Sequence, residues 1–145
     1  MIDGLNEQMV RALYETLPID VIVFDANDEI VGWNKHETRL FKRPLTAMGI
    51  DFRTYHPSGS YAEIEKIIGE MKQGDRDKAR YWYDINPGSN QKKHKILVEF
   101  HALRDEKGKY LGCMQCTQDI EEIRHLNGEV KLSEDPRLEY IAACG

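Results

Sequence analysis

Apolar and polar positions alternate with a period of two from Lys95 to Leu103. Ile96, Val98, Phe100 and Ala102 fall on one side, and Leu97, Glu99, His101 and Leu103 on the other. That period predicts a strand. Asp105-Glu106-Lys107-Gly108-Lys109 is a charged reversal containing glycine, and Tyr110 to Gln118 runs back as the partner strand. Elsewhere the period lengthens. Leu5, Met9, Ala12, Leu13 and Leu17 share a helical face within residues 3 to 17, with Pro18 as the stop. Tyr61, Ile64, Ile68 and Met71 lie on one face of a longer helix, with Ile67 beside them. Ser60 and Glu63 form its capping box and Gly74 its left-handed end.

The intervening stretches supply the other elements. Val21 to Asp25 is a strand, Ala26-Asn27-Asp28 a turn, and Glu29 to Trp33 the returning strand. Asn34 and Glu37 read as a capping box for a brief helix from Lys35 to Phe41, and Pro44 to Tyr55 is irregular. Arg80 to Ile85 is a further strand, ended by turn residues from Asn86 to Asn90. Asp119 and Glu122 cap a short exit helix carrying Ile120, Ile123 and Leu126, which halts at Asn127-Gly128. Leu138, Tyr140 and Ile141 suit a last helical turn. Strand runs separated by a helical cluster point to an α+β fold, an antiparallel sheet with helices packed on one side.

The 145 residues suit one domain, and 41% apolar with 31% charged residues is an ordinary water-exposed balance. The formal charge of -5, without a basic stripe, argues against nucleic acid as a direct partner. No apolar run approaches the ~20 residues that cross a bilayer, so no membrane partner is expected. Met-Ile-Asp-Gly carries no signal segment, and three cysteines fit a reducing compartment. The expected location is cytoplasmic.

Little in the chain reads as catalytic. Cys113-Met114-Gln115-Cys116 has the spacing of a redox pair or half a zinc site, but on a strand two residues three apart point to opposite faces. His36-Glu37 lacks the second histidine of a zinc-protease helix, and its spacing to Pro44 is too long for a phosphoacceptor box. Tyr81-Trp82-Tyr83 suits strand packing or ligand stacking. His101 falls on the outer sheet face, where an N-terminal helix or a partner subunit would pack. No nucleophile, base and orienter occur at a recognisable spacing, so an enzyme is not expected.

The element order, with Leu17 to Asp25, Ile30-Val31-Gly32-Trp33-Asn34, Arg104 to Gly112, and Thr117-Gln118-Asp119-Ile120-Glu121-Glu122, resembles a PAS domain over roughly Ala12 to Leu126. Tyr55-His56-Pro57-Ser58 before the long helix is similar to PAS modules of bacterial and archaeal regulators, some attached to hemerythrin-like domains. The resemblance implies a five-stranded antiparallel sheet with helices on one face, an N-terminal amphipathic helix and a small core cavity. It divides the chain into a dimerisation helix (1–17), the PAS domain (18–127) and a tail (128–145). It implies a sensory role, with transcription regulation as one output. The partners it implies are a second copy of the chain, a downstream signalling protein or domain, and a small-molecule ligand.

In haem-containing PAS domains an iron-ligating histidine comes from the region between the second and third strands, where His56 lies. His56 is therefore the candidate haem ligand, with Ile64, Ile67, Ile68, Met71, Val98, Phe100 and Met114 as the apolar lining. The plain alternative is a histidine in a helix-entry turn. Residues 34 to 56 hold no cysteine, which excludes the covalent flavin chemistry of related photosensors. Two functions are in play. The first is a sensor binding haem or another small ligand and relaying through its last strand and exit helix. The second is a ligand-free interaction module using Leu5, Met9, Leu13 and the outer sheet face.

Overall fold

The computed structural model describes residues 1–86, 88 and 92–132. Five strands form one antiparallel sheet: β1 (Asp20–Asp25), β2 (Ile30–Trp33), β3 (Lys78–Ile85), β4 (His94–Arg104) and β5 (Tyr110–Asp119), in the order β2-β1-β5-β4-β3. Two helices accompany it, α1 (Glu7–Thr16) and α2 (Tyr61–Gln73). The expected α+β class with a five-stranded antiparallel sheet is what is found. The expected last helical turn at Leu138, Tyr140 and Ile141, and most of the reversal before β4, lie outside the described residues.

Register decides which side chains meet. Ala79, Phe100, Gln115 and Ile22 sit in one row across four strands, and Tyr81, Val98, Thr117 and Asp20 in the next. Partners in a row share a face. These rows form the inner face, with Ile96, Val98 and Phe100 almost wholly buried. α2 covers part of it through Ile64, Ile68 and Met71. The helix ends as expected at Gly74, whose φ of 84° only glycine adopts freely. At Gly112 the reason for glycine is proximity: a Cβ there would lie 2.3 Å from the Phe24 carbonyl oxygen.

Three local expectations are overturned. Residues 35–41 form turns and no helix. Asn34 is fully buried. Its Oδ1 accepts from Val21 N at 2.7 Å, and its Nδ2 donates to the carbonyls of Tyr14 and Ile19 at 2.9 and 3.0 Å. Stranded backbone groups beside β1 claim the side chain that would have capped a helix. Ser60 makes no side-chain cap bond, because a 3-10 turn (Ser58–Ser60) already leads into α2. The exit helix is only one 3-10 turn, Ile123–His125. Asp119 is committed to His94 Nδ1 at 2.6 Å and Glu121 N at 2.9 Å, and Glu121 accepts from Lys95 N at 3.0 Å. Ile123 and Leu126 stay exposed, so no burial offsets the entropy of a longer helix.

Candidate functional site

Under α2 the inner face is closed. The Phe24 and Phe52 rings stack at 3.9 Å, and the Met71 sulfur lies 3.9 Å from the Cys113 thiol. Phe24, Phe52, Ile64, Ile68, Met71, Ile96, Val98 and Phe100 belong to one buried cluster, with Ile67 packed at its margin. Past the N-terminal end of α2, irregular chain takes over as the cover, and packing stops short. A cavity of about 660 Å³ remains there. Its floor is Ile22 of β1, Gln115 and Thr117 of β5, and Tyr81 and Tyr83 of β3. Its cover comes from Arg39, Phe41, Lys42 and Arg43 on one segment and Tyr55, His56, Pro57 and Ser60 on another.

The first segment is pinned by Asn34 and Arg39. Arg39 Nη1 donates to the carbonyls of Val21 at 2.9 Å and Asn34 at 2.8 Å, and its Nε to Phe41 O at 3.2 Å. Burial lowers its pKa, and the Asp20 carboxylate opposes that fall. Arg43 is held differently. Its guanidinium lies 5.0 Å from the Tyr55 ring centroid. Its Nε is buried without a partner among the described residues. Burial pushes its pKa down, the nearby Arg39 charge pushes the same way, and only Tyr55 opposes them.

His56 follows the 3-10 turn Phe52–Tyr55, whose start is capped by Asp51. Its Nδ1 lies 3.0 Å from the Phe52 carbonyl oxygen. A carbonyl only accepts, so Nδ1 carries the proton and Nε2 keeps the lone pair. Burial depresses the His56 pKa. The Phe52 carbonyl opposes that shift, Arg43 adds to it, and the Gln115 amide opposes it. Gln115 is 6% exposed, and its Oε1 has no partner among the described residues. Its influence on His56 becomes a hydrogen bond only when Nε2 is protonated. Burial raises the phenol of Tyr81 to about 12 and raises that of Tyr83. Both are neutral donors near pH 7.

The pocket therefore differs from the one drawn on the sequence. His56 does line the cavity. Ile64, Ile68, Met71, Val98 and Phe100 fill the core beside it. Met114 pairs with His101 and Val23 and lies on the opposite, outer face. With Val98 and Phe100 facing inward, the register makes Gln115 and Thr117 their inward neighbours on β5. Tyr81 and Tyr83, read as packing or stacking residues, line the cavity too, while Arg39, Arg43, Gln115 and Thr117 are among the lining residues that sequence reasoning missed. A readable signal existed for two of them: polar residues at inward positions of a strand mark a site or a defect. The two strand cysteines do face opposite ways. Cys113 is in the inner core and Cys116 pairs with Val21 and Glu99, with burial raising their thiols to about 12 and about 11.

This geometry allows a test of the haem expectation. The bare Nε2 of His56 is the kind of atom that ligates iron. The apolar side chains that would face a porphyrin are packed against one another, and the cavity wall is cationic, phenolic and amide in character. The residues present do not fit a haem without opening the core.

A five-stranded antiparallel sheet with helices and irregular chain over one face defines a class of small α+β domains. The family model for the PAS domain matches residues 10–121, and the chain belongs to that family. PAS domains are sensory or signalling modules. Solved structures share the fold. The C-terminal domain of a Streptococcus mutans protein is 22% identical with a TM-score of 0.70, covering 85% of this chain and 91% of that one. A PAS domain from Colwellia psychrerythraea is 16% identical with a TM-score of 0.59, covering 79% and 97%. The Vibrio cholerae protein VqmA, in complex with a ligand and DNA, is 18% identical with a TM-score of 0.56, covering 97% and 75%. A search of the curated proteins finds no match.

Proposed function

We propose that the chain is a signal-sensing module that holds a small molecule in the cavity beside His56 and passes the bound state along β5. One observation carries this reading. Gln115 and Thr117 form the cavity floor, and the same strand runs without a break to Asp119, where the exit segment begins. The exit is tied back by Asp119 to His94 and by Glu121 to Lys95. A ligand that binds one arrangement of β5 better than another biases the exit segment attached to it. VqmA, of the same fold, is complexed with a ligand and DNA, which lends the reading support by analogy. The output would be a downstream signalling protein or domain, transcription regulation among the possibilities, in the cytoplasm. Among the described residues no helix is long and apolar enough to cross a membrane.

The test is mass spectrometry of the full chain purified gently, then denatured, with amide exchange measured before and after extraction. A stoichiometric small molecule whose removal speeds exchange over residues 118–126 is the expected result. An empty cavity, or changes confined to the cavity wall, overturns the relay. Added hemin is expected to give no Soret band that depends on His56. A band abolished by His56→Ala would restore the haem reading.

A second reading rests on α1. No residue of that helix is buried, and Met9, Val10 and Leu13 are about half exposed. Such a stripe supports pairing with a second copy of the chain, with or without ligand. Sedimentation of Leu13→Glu beside the wild type separates the cases. A wild-type dimer that becomes a monomer supports this interface, and an unchanged mass removes it.

A further inference from the structure

Five arginines outside the cavity sit against carboxylates. Arg53 touches three carboxylates, Asp28, Asp51 and Glu65, at 3.0 to 3.1 Å. Arg11, Arg76, Arg104 and Arg124 each sit against an acidic partner as well. At the cavity the pattern reverses. Arg39, Lys42 and Arg43 line it, no carboxylate does, and none of the three makes an ion pair among the described residues. In a chain of net charge -5, a cation-only wall is a local inversion of sign.

The three cations are not equivalent. Lys42 is exposed and water solvates it. Arg39 is buried, but three carbonyls take its donors and Asp20 offsets its charge. Arg43 has neither compensation. Its guanidinium rests on the Tyr55 ring, and its buried Nε donates to nothing among the described residues. A partly desolvated guanidinium without a counter-ion is costly, and a bound anion removes that cost. Gln115, 6% exposed, lines the same cavity and presents an unsatisfied acceptor. Neutral His56 carries a bare lone pair beside it. The two side chains thus ask for opposite things, an anion at Arg43 and a hydrogen-bond donor at Gln115. Ile22, Tyr81 and Tyr83 line the cavity with them and offer a surface for a flat apolar body.

We infer that the cavity selects a small aromatic monocarboxylate bearing an O–H or N–H donor, its carboxylate on Arg43 and its donor on Gln115 Oε1. A monoanion suits the single uncompensated guanidinium. The inference rests on the sensory reading and narrows it to a ligand class. Arg43 is a binding residue in it, and His56 supplies shape and a second acceptor.

The experiment is an NMR titration of the ¹⁵N-labelled full chain with four probes: 4-hydroxybenzoate, its neutral analogue 4-hydroxybenzamide, benzoate, and inorganic phosphate. The acid is expected to shift the Gln115 side-chain amide and the Thr117 and Tyr81 signals. It should bind at least about tenfold more tightly than the neutral analogue, the worth of one charge-assisted bidentate contact. Arg43→Met should erase that difference, and Arg43→Lys should retain part of it. Gln115→Met should remove the preference for 4-hydroxybenzoate over benzoate. Equal binding of acid and amide, or unchanged acid affinity in a well-dispersed Arg43→Met variant, overturns the carboxylate assignment while leaving a ligand cavity. Equivalent shifts with phosphate alone also overturn it, showing unselective anion binding. No response to any probe overturns it too, and the sensory reading then stands or falls on the co-purification test.

Discussion

The inner face of the sheet is built in two halves that obey different rules. Beneath α2 it is covered by a regular element whose Ile64, Ile68 and Met71 share one buried cluster with Phe24, Val98 and Phe100. Beside it, the cover is residues 39–43 and 55–60, chain with few repeating side-chain positions to offer the sheet. There the floor turns to Gln115, Thr117, Tyr81 and Tyr83, and space remains. The contrast shows where stability and function reside in one small domain. A helix can present an apolar face in register with strands, and a loop cannot. Two buried polar atoms without a partner among the described residues, Arg43 Nε and Gln115 Oε1, lie in the loop-covered half.

The comparison breaks most visibly on the packed side. Phe24→Ala removes a fully buried ring stacked on Phe52 and is expected to cost about 3–5 kcal/mol in urea unfolding. A loss near zero would mean the core beneath α2 is no tighter than the cavity. On the open side the expected effect is smaller and of opposite sign. Gln115→Met removes a buried acceptor that has no donor, so stability should change by less than about 1.5 kcal/mol, toward stabilisation. A large destabilisation would mean that the amide is structural and not held open for a ligand.

The smallest effect belongs to His56. Its folded pKa is depressed from the ordinary 6.5, chiefly by burial. The unfolded chain therefore takes up a proton at a higher pH than the folded one does. Stability that is complete above the unfolded value falls as pH drops through it toward the folded value. The imidazole resonances should titrate with a midpoint below 6.5, and the fall of stability below that pH should be shallower in His56→Ala. A midpoint above 6.5 would place a negative charge beside the ring and contradict the cation-only cavity.

Much of this architecture was readable in one dimension. The strand alternation through Ile96, Val98 and Phe100, the α2 stripe and the Gly74 cap each rest on neighbours close in sequence, and each appears where the pattern put it. The failures share a cause. Asn34 reads as a cap until the backbone of Val21, Tyr14 and Ile19 competes for it. Asp119 reads as a helix start until His94, twenty-five residues away, binds it. Met114 reads as pocket-lining until the β4–β5 register turns it outward.

Residue order alone determined the five strands, the two helices and the family, and it singled out His56, which lines the cavity. Those properties depend on local periodicity and short-range capping, which the chain carries in its own spacing. Only the tertiary structure decided that the cavity lies beside α2 rather than beneath it, and that Arg43 and Gln115 line it together. Partners that distant in sequence are brought together by strand register and loop anchoring, and by nothing that adjacent residues encode.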